Sequence, residues 1–223
     1  MLHPNKPGKI RVAFDAGAKK DGISLNSRLI TDPDLLNSLP GILIRFRNYP
    51  IVIMADVEAM FHQVRVTKTD QLALRFLWKD KGLESSKVET FCMTVHIMGA
   101  TNSSCAASYA LRKSAEDNSQ DCNPETVKTI ERDFYMDDLI KSCPNTEMAT
   151  IIAVEVRKIL KRGGFPLKKF LSNEPSVLTS LPPEDLAQPL SDLTFDESLT
   201  PRALGIRWNV KSDTLLFLSL IHI

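Results

Sequence analysis

The chain has 223 residues, 43% apolar and 25% charged, with a formal net charge of +1. That length and composition suit an ordinary globular protein of one large domain or two small ones. They exclude a molecule that is basic all over, and the longest uncharged apolar run, 215–221, is far too short to span a bilayer. Charge is unevenly spread. The first fifty residues hold eight basic side chains against four acidic ones, whereas 172–200 has six acids and no Lys or Arg. A basic front suits phosphates, although an uneven solvated surface explains charge runs equally well. Cys92, Cys105, Cys122 and Cys143 form no Cys-x-x-Cys pair, and no signal peptide opens the chain. The expected setting is a reducing one, with free thiols.

The elements alternate between strand and helix. Residues 9–14 alternate and predict a strand, and 15–27, with Gly17 and Gly22, predict a loop. Residues 34–46 are apolar and helical in character, with a break at Pro40-Gly41. The continuous apolar run 51–55 predicts a buried strand. Residues 72–78 and 90–95 are strand-like. Asn102 or Ser103 caps an Ala-rich helix reaching about residue 116. Residues 133–140 form a short apolar segment interrupted by two acids. Asn145 or Thr146 caps the clearest helix, whose apolar residues keep helical spacing until Gly163-Gly164 ends it. Residues 167–171 are strand-like, 172–201 are a Pro-rich acidic connection, and 203–210 return to strand character.

Two segments carry chemistry. In Phe134-Tyr135-Met136-Asp137-Asp138-Leu139-Ile140 two adjacent acids lie between apolar flanks. Such a hairpin presents carboxylates at its tip, and they repel unless a hard cation with a taste for oxygen sits between them. A surface Asp-Asp turn has the same composition. In Met54-Ala55-Asp56-Val57, Asp56 ends a buried apolar strand. A carboxylate there needs a metal, an Arg, solvent at the strand end, or a helix to cap.

Taken in order, these segments resemble reverse transcriptases. Tyr-Met-Asp-Asp is similar to their signature, and the strand ending in Asp56 to their first catalytic motif. Lys9-Ile10-Arg11-Val12-Ala13-Phe14-Asp15 resembles the fingers segment whose Arg contacts the triphosphate. Val95-His96-Ile97-Met98-Gly99-Ala100-Thr101 stands where the nucleotide pocket is lined. Gly164-Phe165-Pro166-Leu167-Lys168-Lys169 resembles the motif after the palm helix, and Leu204-Gly205-Ile206-Arg207-Trp208 the primer grip. Phe-His-Gln-Val at 61–64 and Leu-Arg-Phe-Leu-Trp at 74–78 look like the Bel/Pao group of LTR retrotransposons. Each match alone is weak, and their order makes the set specific. Many relatives have Gln where Met98 stands and Pro where Ser104 stands.

The resemblance implies an α+β right-hand polymerase, with a palm built on a small antiparallel sheet backed by helices. Part of the fingers falls in 1–50. The palm covers 51–171 with a fingers insertion near 65–90. The acidic connection follows at 172–201 and a primer-grip-like start of the thumb at 202–217. Residues 218–223 match nothing in the family and are expected to be a truncated or non-native end.

The implied activity is RNA-directed DNA synthesis, in which a primer hydroxyl attacks a deoxynucleoside triphosphate. Two Mg²⁺ ions, with Mn²⁺ as a substitute, would be held by Asp56, Asp137, Asp138 and the Val57 carbonyl. Arg11 would clamp the triphosphate, Gly99 would let backbone approach it, and Lys168 or Lys169 would protonate pyrophosphate. Arg11 as a strand-face residue, Gly99 as a turn glycine and the lysines as a solvated face are the plainer alternatives. Phe61, five residues after Asp56, would exclude a 2′-hydroxyl, or else it is a core residue. Tyr135, Met136, Leu204, Gly205 and Trp208 would touch primer or template. The partners implied are an RNA or DNA template, a DNA or tRNA primer and, in a full-length polyprotein, RNase H and integrase segments. No membrane is involved, and the setting is cytoplasm or a virus-like particle. The rival is a retrotransposon remnant that at most binds nucleic acid.

Overall fold

A computed structural model describes residues 14–30, 33–79, 87–120 and 122–187, together with the backbone of 202–203, 206–209 and 214–217. The chain divides into two compact units, Met1–Leu35 with Ala59–Ala110, and Leu36–Glu58 with Leu111–Ile223.

The second unit holds a four-stranded antiparallel sheet and its helices. It opens with helix α1 (Leu39–Phe46), capped by the Ser38 side chain, which accepts from the Gly41 amide. The sequence predicts a longer helix broken at Pro40-Gly41. Instead Pro40 sits in the first turn of the helix, where a residue needs no amide donor. Strand β1 (Ile51–Val57) follows, two residues longer than the apolar run predicts. Helix α2 (Ser103–Asn118) begins in the first unit and ends in this one. Helix α3 (Pro124–Arg132) leads into strand β4 (Phe134–Tyr135), which turns back as β5 (Asp138–Cys143).

Helix α4 (Thr146–Arg162) is capped by Asn145, which accepts from the Met148 amide. It buries Ala149, Ile152, Ala153, Val156, Ile159 and Leu160 along one stripe. Strand β6 (Leu167–Ser172) completes the sheet in the order β4-β5-β1-β6. On one part of the sheet Ile42 and Phe46 of α1 pack on Val52, Met54 and Ile140, with Tyr135 and Leu171 at the margin. Full burial of side chains the size of Ile42 and Phe46 contributes roughly 1.5–3 kcal/mol each.

Beyond β6 the acidic connection starts in ordered form, as a short helix α5 (Pro175–Thr179) and a 3-10 turn at Pro183–Asp185. Residues 188–201 lie outside the described set. Strands β7 (Arg202–Ala203), β8 (Ile206–Asn209) and β9 (Thr214–Phe217) form an antiparallel three-stranded sheet.

In the first unit β2 (Arg75–Trp78) pairs with β3 (Glu89–Cys92), both shorter than predicted. The strand-like start at Leu72 is taken by a 3-10 turn, Asp70–Leu74, whose residue Asp70 accepts from the Thr67 hydroxyl. Phe76 stacks on Phe91 and meets Phe14 edge-on at 5.6 Å between centroids. No helix among the described residues is long and apolar enough to cross a membrane.

Candidate active site

The site is assembled by strand register in the second unit. β1 pairs with β5 from Ile51↔Cys143 to Asp56↔Asp138, so the two aspartates stand directly opposite each other. Cross-strand partners have their Cβ atoms about 4.5–5.5 Å apart, and like charges at that distance destabilise the sheet. The adjoining turn is closed by Tyr135↔Asp138, leaving Met136 and Asp137 as a two-residue loop. Met136 has φ 52°, the sign that such tight hairpin turns require at this position and that a non-glycine residue adopts at a cost. The Asp137 carbonyl accepts from the Val57 amide at 2.8 Å, which pins the turn to the end of β1.

The other edge of β1 supplies a cation. Asp56 is opposite Lys168 on β6, and the register slips between Met54 and Asp56. The slip is a bulge in β6 that holds Lys169 at φ 58°, a conformation bulges usually reserve for glycine. Bulging re-aims the side chain. The Lys169 Nζ donates to Asp56 Oδ2 at 2.9 Å, on a side chain that is itself 66% exposed.

The two adjacent lysines therefore part company. Lys168 donates instead to Asp185 Oδ1, and the Arg157 Nε donates to Asp185 Oδ2, each at 2.5 Å. Burial pushes the Asp185 carboxyl up, but the hydrogen bonds from Lys168 and Arg157 outweigh it and hold it below the usual range. The Lys168 ammonium is raised by its bond to Asp185. A depressed carboxyl contributes stability that is complete above its unfolded value of 3.8 and is lost as pH falls through the lower folded value. The urea midpoint of Asp185→Asn is therefore expected below wild type at neutral pH, and the gap should close only under acid below pH 3.8. A gap that stays constant through that range contradicts the assignment.

As to metals, the site offers oxygen donors only, the set that hard divalent ions prefer. Among the described residues no three acidic, His or Cys side chains converge into a ready-made cage. Mg²⁺ keeps waters and is commonly held by one or two carboxylates plus substrate phosphates, so the Asp56–Asp138 pair with its adjoining Asp137 fits an ion shared with a phosphate-bearing ligand. The Val57 carbonyl lies at the end of β1 beside this pair.

The remaining predicted residues fall elsewhere. Gly99 and Phe61 belong to the first unit. Gly99 has φ 105°, and a Cβ there would come within 2.9 Å of the Phe14 carbonyl oxygen, so glycine is required. Asn26, which the sequence does not single out, locks this turn by donating to the Gly99 carbonyl and accepting from the Thr101 amide. Phe61 is half-buried in a 3-10 turn, Met60–Gln63. Tyr135 packs against the core cluster. Trp208 lies in β8. Arg11, Leu204 and Gly205 lie outside the described residues, as does the strand predicted at 9–14 apart from Phe14.

No protein-family model matches the chain, and no curated protein matches it. Solved structures do. A foamy viral protease-reverse transcriptase dRH in complex with double-stranded DNA aligns with TM-score 0.54 and 20% identity over 75% of this chain. The foamy viral protease-reverse transcriptase in complex with an RNA/DNA hybrid aligns with TM-score 0.50 and 19% identity over 65% of it. The chain spans only 25% and 17% of the length of those two proteins. Over most of its length, then, this chain has a fold similar to part of the viral protease-reverse transcriptases.

Proposed function

We propose that the chain is the catalytic portion of an RNA-directed DNA polymerase, of the Bel/Pao retrotransposon kind that its motifs resemble. The observation that carries this reading is Asp56 facing Asp138 across β1 and β5, with Asp137 on the adjoining turn. The fold shared with viral protease-reverse transcriptases supports it. In this reading the sheet β4-β5-β1-β6 is the palm, and the β2–β3 hairpin is part of the fingers.

Asp56 and Asp137, with Asp138 opposite Asp56 and the Val57 carbonyl, would hold two Mg²⁺ ions, with Mn²⁺ as a substitute. Divalent ions bound there supply electrostatic stabilisation of the entering and leaving oxygens. The rest falls to the protein. The register fixes the carboxylates, so they need no reorganisation when charge develops. Lys169, which lies against Asp56, would protonate the leaving pyrophosphate from Nζ. Lys168 is tied to the buried Asp185, whereas Lys169 is 66% exposed and its partner Asp56 would turn to the metal, so Lys169 would be the better proton donor of the pair.

Primer extension on an RNA template tests the activity, and EDTA should abolish it. Sugar choice is tested at Phe61. An aromatic ring against the sugar would leave no room for a 2′-hydroxyl in a close-packed site. Phe61→Val is expected to raise the ratio of ribo- to deoxynucleotide incorporation on the order of tenfold, the scale of a one-to-two-methylene change in a pocket. An unchanged ratio makes Phe61 a core residue and removes the physical basis for DNA over RNA synthesis.

A further inference from the structure

The carboxylate-bearing turn is more firmly rooted than its own strands explain. β4 is a two-residue edge strand with just two partners on β5, whereas β5 is held to β1 along six pairs. The turn it carries includes Met136 at φ 52°. A strained residue of this kind costs roughly 1–3 kcal/mol and persists only where its surroundings over-determine it. Besides the apolar contacts of Tyr135 and Ile140, a polar set of contacts converges on the residue before β4, Asp133.

Asp133 is buried, with a side chain 5% exposed. Its Oδ1 accepts from Arg45 Nε of α1 at 2.8 Å, and its Oδ2 accepts from Lys141 Nζ of β5 at 3.0 Å. Its backbone carbonyl accepts from the Ile140 amide, also on β5, at 2.9 Å. The same flank captures the end of α3, whose last carbonyls have no partner within the helix. Arg45 donates to the Arg132 carbonyl. Asn37, just before α1, donates to the Glu131 carbonyl at 3.0 Å and to the Phe134 carbonyl at 2.9 Å. Lys141 is shared with Glu125 at 2.9 Å, so two cations and two carboxylates form one compensated group. Burial pushes the Lys141 ammonium down, but Glu125 and Asp133 outweigh it and leave it raised. Asp133 and Lys141 are its shielded members, and removing either leaves the other's charge uncompensated, which is costly.

We infer that Asp133, with Arg45, Lys141 and Asn37, is a positioning site for the carboxylate turn: it fixes the root of the hairpin and so sets where Asp137 and Asp138 are presented. The inference rests on the reading of those aspartates as the reacting carboxylates. None of the four touches the reacting centre in that reading; they act through the turn. Partners that hydrogen-bond a metal ligand directly change affinity about 10–100-fold when removed, and an effect carried through the turn is expected at the lower end of that range.

The test uses the full chain labelled with ¹³C-methyl methionine, in which Met136 reports the turn directly. Asp133→Asn keeps the shape and removes the charge. The expected result is a shifted or exchange-broadened Met136 methyl signal, with the signals of Met93 and Met98 unchanged, and a Mn²⁺ affinity lowered at least tenfold. If Asp133→Asn does not fold, Asn37→Ala takes its place, removing the contacts to Glu131 and Phe134 together with the one from Arg112. A Met136 signal identical to wild type in the folded variant overturns the positioning role. Failure of the polymerase reading looks different: Mn²⁺ then leaves the wild-type Met136 signal unbroadened while Asp133→Asn still perturbs it.

Discussion

Asp56→Asn and Asp137→Asn are each expected to lower deoxynucleotide incorporation on the order of 10³-fold, the scale of losing one preorganised charge-stabilising group. Stability should move the other way or not at all. Asp56 and Asp138 are like charges in directly opposed positions, so neutralising one relieves repulsion. What Asp56→Asn gives up is an ion pair with Lys169, whose side chain is 66% exposed, and exposed pairs are worth about 0–1 kcal/mol. Asp137 contributes its backbone carbonyl to the Val57 amide, a contact that the Asn variant keeps. Function and stability are thus opposed at this site. Single-turnover incorporation and thermal melting on the same preparations check it. If activity falls only in proportion to a fallen melting temperature, the carboxylates are merely structural.

The largest stability effect is expected far from the carboxylates, where α4 ends. A Cβ on Gly163 would lie 1.5 Å from the Ser114 hydroxyl oxygen and 2.5 Å from the Ser114 Cβ, and a χ1 rotation of Ser114 moves the oxygen but not the Cβ. The backbone of Gly163, at φ −78°, suits any residue, so the demand for glycine is one of space alone. Gly163→Ala should cost about 1–3 kcal/mol, as overpacking does. For a chain of this size that lowers the melting temperature by roughly 2–12 °C. The Ser114 hydroxyl is buried without a hydrogen-bond partner, so Ser114→Ala alone should be neutral or slightly stabilising. It should not rescue Gly163→Ala, because its Cβ remains. Ser114→Gly should rescue in part. Equal melting temperatures for wild type and Gly163→Ala would show that α2 and α4 are not packed as described.

Residues with a local signal were legible in the sequence. The apolar spacing of α4 and its Asn145 cap mark that helix at both ends. The run before Asp56 and the apolar flanks of Asp137-Asp138 mark three strands of the sheet, β1, β4 and β5, and the register of β1 on β5 brings the acids opposite each other. Helix α3 escaped notice because its buried face is Thr126, Thr129 and Ile130, with one apolar residue among three. Its signal was the cap Asn123 followed by Pro124 and Glu125. The different fates of Lys168 and Lys169 were invisible, because a bulge with a non-glycine residue at positive φ leaves no mark in composition. The Arg45–Asp133 pair joins residues 88 apart in the chain, and Asn26 reaches Gly99 across 73. No spacing rule reaches that far.

The central claim is that Asp56 and the Asp137-Asp138 turn form one cation-holding site. Anomalous diffraction from crystals of the chain soaked in Mn²⁺ tests it most directly. A peak is expected within about 2.0–2.6 Å of carboxylate oxygens from both Asp56 and the turn, the range of hard-cation ligation, and absent in crystals of Asp56→Asn. Manganese bound elsewhere, or a site that survives Asp56→Asn undiminished, would contradict it.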